Sequence, residues 1–214
     1  MFVFAFDMET EFIWEKHFNN LTTNGNQMQQ STIQIRWHGR GGQGAITAAK
    51  IVANAAFFSG YNGAVMIPTF GTERRGAPVL TSLKISKEKI YDLSPIVNPD
   101  IVVVLDYLLL EEKGTLDGLK EGGMIIVNSP KTPEEYSYGH ITVATADVTS
   151  IAESVGLKRG IVNTGIIGAF SKASGLIGID ILSEKIKDEF RDIKPEENAE
   201  AARLTFAKTV VGGK

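Results

Sequence analysis

An alternating, β-branched run, Ile33-Gln34-Ile35-Arg36-Trp37-His38, leads straight into the glycine-dense stretch Gly39-Arg40-Gly41-Gly42-Gln43-Gly44. A helix-forming segment rich in alanine follows over 45–58. Strand, glycine turn, helix constrains the fold more than any other feature of the chain. It is the layout that presents backbone N–H groups at a helix N-terminus. Gly39, Gly41 and Gly44 satisfy G-x-G-x-x-G in register, and glycine lets the backbone take positive φ and approach a ligand or a neighbour closely. The helix start offers about half a positive charge to an anion, and Arg40 places a full one beside it.

The remainder alternates strand-like and helix-like segments. Residues 63–67 and 79–85 read as strands, the second with a period of two and hence one exposed face. The solid apolar runs at 101–105 and 124–127 have the pattern of parallel strands buried on both faces, and 141–144 is a shorter one. Asp147 is placed to cap a helix reaching about residue 155. Helices are expected over 161–174, 181–191 and 195–210, the last with Pro195 at its start. The expected fold is α/β: a single doubly wound, mostly parallel sheet with a Rossmann-like beginning. It should occupy residues 32–214. Residues 1–31 differ in character, an aromatic and acidic stretch followed by an amide-rich tract, and read as a flexible N-terminal extension. The sharper alternative for this segment is an upstream start codon, with Met28 as an alternative start.

Composition narrows the chemistry. The chain has no cysteine, which removes thiolate-ligated iron–sulfur clusters, redox thiol pairs and thiol nucleophiles. His17, His38 and His140 lack metal-binding spacing. A net charge of −3 argues against general nucleic-acid binding. No apolar run has the length of a membrane span, and the N-terminus lacks a signal-peptide pattern, so a cytoplasmic location is expected.

Two loops are candidate binding elements. From local residues alone, Gly39, Arg40, Gly41, Gly42, Gln43 and Gly44 serve either ligand binding or tight strand–helix packing. A dinucleotide site also expects an acidic residue about 20 positions on. Ile67-Pro68-Thr69 supplies none there, and a stand-alone NAD(P)-dependent or nucleotide-binding reading loses its ribose contact. The second loop, Gly71-Thr72-Glu73-Arg74-Arg75-Gly76-Ala77-Pro78, follows a strand and should reach the same carboxyl edge of the sheet. Arg74 and Arg75 could grip a carboxylate or phosphate through paired hydrogen bonds, with Glu73 holding one of them. A solvated charged loop is the plainer alternative. Asp106, Asn128 and Ser129 end strands and read as cap or turn residues. Asn163 reads as a buried amide fixing a loop, and His38 as a structural or binding histidine.

Taken in order, Gly39 to Gly44, Phe70-Gly71-Thr72-Glu73-Arg74-Arg75-Gly76-Ala77-Pro78, Asn98-Pro99-Asp100-Ile101-Val102-Val103-Val104-Leu105-Asp106 and Asn163-Thr164-Gly165 resemble the gamma subunit of 2-oxoacid:ferredoxin oxidoreductases. The Glu73-Arg74-Arg75-Gly76-Ala77-Pro78 form looks most like the pyruvate type; other 2-oxoacid types, such as 2-oxoisovalerate, are the alternative. The resemblance implies a multisubunit enzyme that decarboxylates pyruvate oxidatively with coenzyme A, giving acetyl-CoA, CO2 and reduced ferredoxin. It implies alpha, beta and delta partner subunits, ferredoxin engaged through the complex, and no membrane or nucleic-acid partner. Thiamine diphosphate, Mg and iron–sulfur clusters are then expected on the partners. This chain would have no catalytic residue of its own. Its glycine turn, with Glu73, Arg74, Arg75 and Gly76, would face coenzyme A or a neighbouring subunit.

Overall fold

The computed structural model describes residues 32–68 and 76–212. The proposed extension over 1–31 and the residues Glu73, Arg74 and Arg75 lie outside the described residues. One seven-stranded sheet runs in the order β2-β3-β1-β4-β5-β6-β7. Its strands are β1 (Ile33–Arg40), β2 (Gly63–Pro68), β3 (Pro78–Ser86), β4 (Ile101–Val104), β5 (Met124–Asn128), β6 (Thr142–Ala146) and β7 (Val210–Val211). The helices are α1 (Ala45–Phe58), α2 (Val148–Ser154), α3 (Asn163–Ser174), α4 (Ile179–Glu189) and α5 (Pro195–Lys208).

The chain winds outward from β1 toward both edges. β1, β4, β5 and β6 are mutually parallel. β3 lies antiparallel between β1 and β2, and β7 closes the far edge antiparallel to β6. The α/β sheet is therefore parallel through its centre and antiparallel at its margins. The reversal of winding falls at the carboxyl end of β1, between its neighbours β3 and β4. A crevice at such a reversal is where open α/β sheets bind ligands, and it places the glycine turn there.

Alternation along β1 sorts the two faces. Ile35 and Trp37 face the helices, where Trp37 meets Phe170 of α3 with ring centroids 5.5 Å apart. Arg36 and His38 face the other way. There the links from β4 to β5 and from β5 to β6 hold short 3-10 helices, Tyr107–Glu111 and Pro133–Glu135. Val102, Val104, Leu109, Ile125, Val127 and Val143 form the core on that side, with Leu116 and Tyr136 packed against it.

β3 departs from the expected alternation. From Thr81 to Ser86 every residue is buried, so it has no exposed face there. Lys84, only 2% exposed, sits beneath the irregular segment 87–100. Its Nζ lies 2.7 Å from Asp92 Oδ2 and donates to the Asp92 carbonyl at 3.2 Å. A lysine in a strand reads as solvent-facing, but pairing lets it go under cover.

The helices meet closely where glycine permits. A Cβ on Gly168 of α3 would collide with the Ala202 carbonyl oxygen of α5 and stand 3.0 Å from the Phe206 nitrogen. Asp147 caps α2 as expected, its Oδ1 accepting from the Ser150 amide at 3.0 Å. The last helix stops at Lys208, and Val210 belongs to β7 rather than to the helix.

Candidate functional site

The turn between β1 and α1 is held by its own residues. Gln43 Oε1 accepts from the Arg40 amide at 2.7 Å, and the Gln43 amide donates to the Arg40 carbonyl at 2.9 Å. The Gly41 amide donates to the Ala77 carbonyl at 2.8 Å, and the Gly76 amide to the Gly41 carbonyl at 3.1 Å. Gly76 and the glycine turn therefore converge at one edge of the sheet, as their positions after strands predicted. Gly39 is a packing glycine: a Cβ there would lie 3.2 Å from that of Ala45. Gly42 and Gly44 take positive φ, 95° and 80°, so the path through them needs glycine.

Arg40 does not offer a free charge. Its Nε donates to Asp106 Oδ2 at 2.7 Å, and its guanidinium lies 3.2 Å from Glu112. The hydrogen bond to Asp106 is the main reason its pKa is raised. Asp106 also accepts from the Leu108 amide at 3.1 Å, capping the 3-10 helix as its strand-end position suggested. Around this guanidinium the described residues hold one cation between two carboxylates. The ion cluster ties the glycine turn to the end of β4.

His38 is half-buried with its Nε2 out of contact with solvent, and this desolvation, with Arg36 beside it, pushes its imidazole down to about 4. It is neutral at pH 7 and a weak proton acceptor, which fits a structural rather than a catalytic histidine. Arg36 was not singled out in the sequence. It is 6% exposed, and its Nη2 donates to the carbonyls of Thr115 at 3.1 Å and Asp117 at 2.6 Å. Burial lowers its pKa, partly offset by Asp117. An arginine in an alternating strand carries no signal of this carbonyl-bonded role.

Asn128 and Ser129 act as turn residues. Asn128 Nδ2 donates to the Leu105 carbonyl at 2.9 Å and to Thr149 Oγ1 at 3.1 Å. Tyr136 donates to Ser129 Oγ at 2.7 Å. Asn163 differs from the loop-fixing amide expected of it. It is 7% exposed and its Oδ1 has no hydrogen-bond partner. Its side chain lies against Gly44, where a Cβ would stand 2.7 Å from Asn163 Nδ2 and 3.0 Å from Cγ.

Among the described residues, no three His, Cys, Asp or Glu side chains gather as a metal site. No helix among them is long and apolar enough to cross a membrane. The sequence has no cysteine, so the chain offers no thiolate for an iron–sulfur cluster.

The family model described as pyruvate ferredoxin/flavodoxin oxidoreductase matches residues 34–208, from β1 to the end of α5. The chain belongs to the pyruvate ferredoxin/flavodoxin oxidoreductase family. It is 48% identical over 184 residues to the pyruvate/ketoisovalerate oxidoreductases common subunit gamma of Thermococcus litoralis, spanning 84% of this chain and 98% of that one. It is 46% identical over 178 residues to pyruvate synthase subunit PorC of Methanothermobacter marburgensis, spanning 82% and 97%. The crystal structure of pyruvate oxidoreductase subunit PORC from Thermotoga maritima superposes with a TM-score of 0.73 at 31% identity, covering 85% of this chain and 99% of that one. Both the glycine turn and the Asn163 segment fall inside the region shared with the family.

Proposed function

We propose that this chain is the gamma-type subunit of a multisubunit enzyme that oxidatively decarboxylates pyruvate with coenzyme A, yielding acetyl-CoA, CO2 and reduced ferredoxin. The observation that carries this reading is the match to a gamma subunit at 48% identity over nearly that protein's whole length. Thiamine diphosphate with Mg, and the iron–sulfur clusters, belong in this reading to the alpha, beta and delta partners, which the lack of cysteine in this chain supports. Its contribution is assembly, with the glycine turn and the following loop (Glu73, Arg74, Arg75, Gly76) facing coenzyme A or a partner. The cytoplasm is the proposed location. A shared role with a branched-chain 2-oxoacid enzyme is a second reading, favoured by the name of that same relative, a subunit common to pyruvate and ketoisovalerate oxidoreductases.

Purification from the native source tests this. The expected result is co-elution with coloured, cluster-bearing partners, and dye reduction dependent on pyruvate and coenzyme A. The isolated chain should reduce no viologen dye. Turnover by the pure chain, or its recovery as a partner-free protein, would overturn the proposal.

A further inference from the structure

The connection from β3 to β4 runs from Lys87 to Asp100 without regular structure, yet it is fastened along its length. At one end it crosses the start of β2, where a Cβ on Gly63 would collide with the Glu88 carbonyl oxygen and stand 2.9 Å from Ile90 Cγ1. In its middle, Lys84 of β3 donates to the Asp92 carboxylate at 2.7 Å and to Ser94 Oγ at 3.4 Å, and Asp92 Oδ1 accepts from the Ser94 amide at 2.9 Å. Ile96 is buried farther on. At the other end Asp100 accepts from the Gln34 amide at 2.8 Å and from Lys120 at 2.6 Å.

The polarity of this strap is inside out. Asp92 and Ser94 bond down to the sheet, whereas Tyr91, Leu93 and Val97 face outward, 85%, 66% and 70% exposed. A segment that met only water would carry the opposite pattern, with its apolar side chains on the sheet and its carboxylate in solvent. Exposed apolar residues scattered singly are ordinary, but these three share one pinned segment, and grouped exposure of that kind marks an interaction surface. Because the backbone is already fastened, contact through these side chains costs little further ordering. Tyrosine is also among the residues that dominate interface energetics.

The covering surface is protein rather than lipid, because irregular backbone loses its water in a hydrocarbon layer without gaining partners. Ten residues of the strap are exposed, against the roughly 20–30 a side of an interface that stands by itself. The strap is therefore too small to hold two copies of this chain together on its own and fits one contact of a larger assembly. Its charge names the chemistry opposite. Lys87 and Lys89 outnumber Glu88 at the amino end, and the Asp92 carboxylate is taken by Lys84.

We infer that the strap 87–100 is a docking element for a different subunit of the same enzyme. Tyr91, Leu93 and Val97 enter an apolar depression on that partner, and Lys87 and Lys89 meet carboxylates at its border. This assignment rests on the proposed function, which supplies the partner, and adds the surface on which the partner sits.

The chain has no cysteine, so Leu93→Cys gives it a single thiol. The test compares maleimide labelling of that thiol, read by mass on this chain's own peptides, in the isolated full chain and in the assembled enzyme. The expected result is rapid labelling of the isolated chain and labelling slower by about tenfold or more in the assembly, as an interface that excludes water requires. Tyr91→Ser with Leu93→Ser should leave thermal unfolding of the isolated chain unchanged and raise the Kd for assembly about tenfold or more, the loss of hot-spot contact. Lys89→Glu should slow assembly most at low salt. Equal labelling in both states, or unchanged assembly of the folded double variant, would overturn the docking element while leaving the proposed function standing. Protection that grows with the concentration of the isolated chain would replace the partner with a second copy and overturn the assignment. A wild-type chain that never assembles with partners would overturn the proposed function and this occupant together.

Discussion

Gly168→Ala sets two opposing effects against each other at a single methyl group. Alanine is the better helix former by about 1 kcal/mol in a helix interior, so an exposed site would be stabilised. Gly168 faces α5, however, and its new Cβ would collide with the Ala202 carbonyl oxygen, with the Ala202 carbonyl carbon at 2.8 Å and the Phe206 nitrogen at 3.0 Å. All of these are backbone atoms, which no rotamer change can move aside. Relief requires α3 and α5 to separate, and that strips contacts along the rest of their interface. Overpacking of this sort costs about 1–3 kcal/mol and occasionally more; with backbone on the receiving side we take about 3 or above. Subtracting the propensity gain leaves a net loss of about 2 kcal/mol or more, or a fall in Tm of at least roughly 4–8 °C for a domain of this size. Urea and thermal unfolding of the full chain would measure it. Gly165→Ala is the comparator, because its Cβ would strike the Val148 side chain rather than backbone, and the loss should be smaller. If Gly168→Ala is neutral or stabilising, the backbone-to-backbone contact of these helices is not as described.

A double-mutant cycle of Arg40→Ala and Asp106→Asn should give a coupling of about 1.5–3 kcal/mol in unfolding free energy, the range for a charge-assisted hydrogen bond; a value near zero would dissolve the link between the turn and β4. For His38 the folded pKa lies near 4 against an ordinary 6.5, so below 6.5 the unfolded chain binds the extra proton first. Stability should therefore drop by roughly 3 kcal/mol as pH falls from about 6.5 to 4, and His38→Asn should flatten that slope. An NMR titration of His38 near 6.5 would contradict its desolvation. Arg36→Ala should cost more than Arg36→Met, since both lose the bonds to Thr115 and Asp117 but only alanine also leaves the volume empty; equal losses would count against packing by the stem.

The parts legible in the sequence were those decided by local chemistry. The run into β1, the apolar β4 and β5, the Asp147 cap and the glycine turn all carry their reasons within a few residues. Parallel strands need both faces covered, and Ile101–Val104 says so by lacking a polar position. Lys84 and Arg36 were opaque for the opposite reason: their partners lie in an irregular segment or on distant carbonyls, and charge in a strand ordinarily means solvent. Val210 was assigned to α5 because a two-residue strand has no period of its own; pairing with Thr145 decides it. At the site, the convergence of Gly76 with the turn followed from strand order. Arg40's engagement by Asp106 and Glu112, and Asn163's position on Gly44, depend on tertiary contacts that no spacing rule reports.

The sheet's two coverings differ in how they can come apart. On one side α1 and α3 are long helices, each stabilised along several turns and braced by its neighbours. On the other, the 3-10 helices hold few residues and few backbone bonds of their own. Hydrogen exchange in β4 and β5 should therefore be governed from the thin side, through brief excursions of 105–120 and 129–140 that leave the helical layer in place. The protein would then behave less as one melting unit than as a stiff backing with a peelable front, and the earliest deuterium uptake within the core should trace that asymmetry.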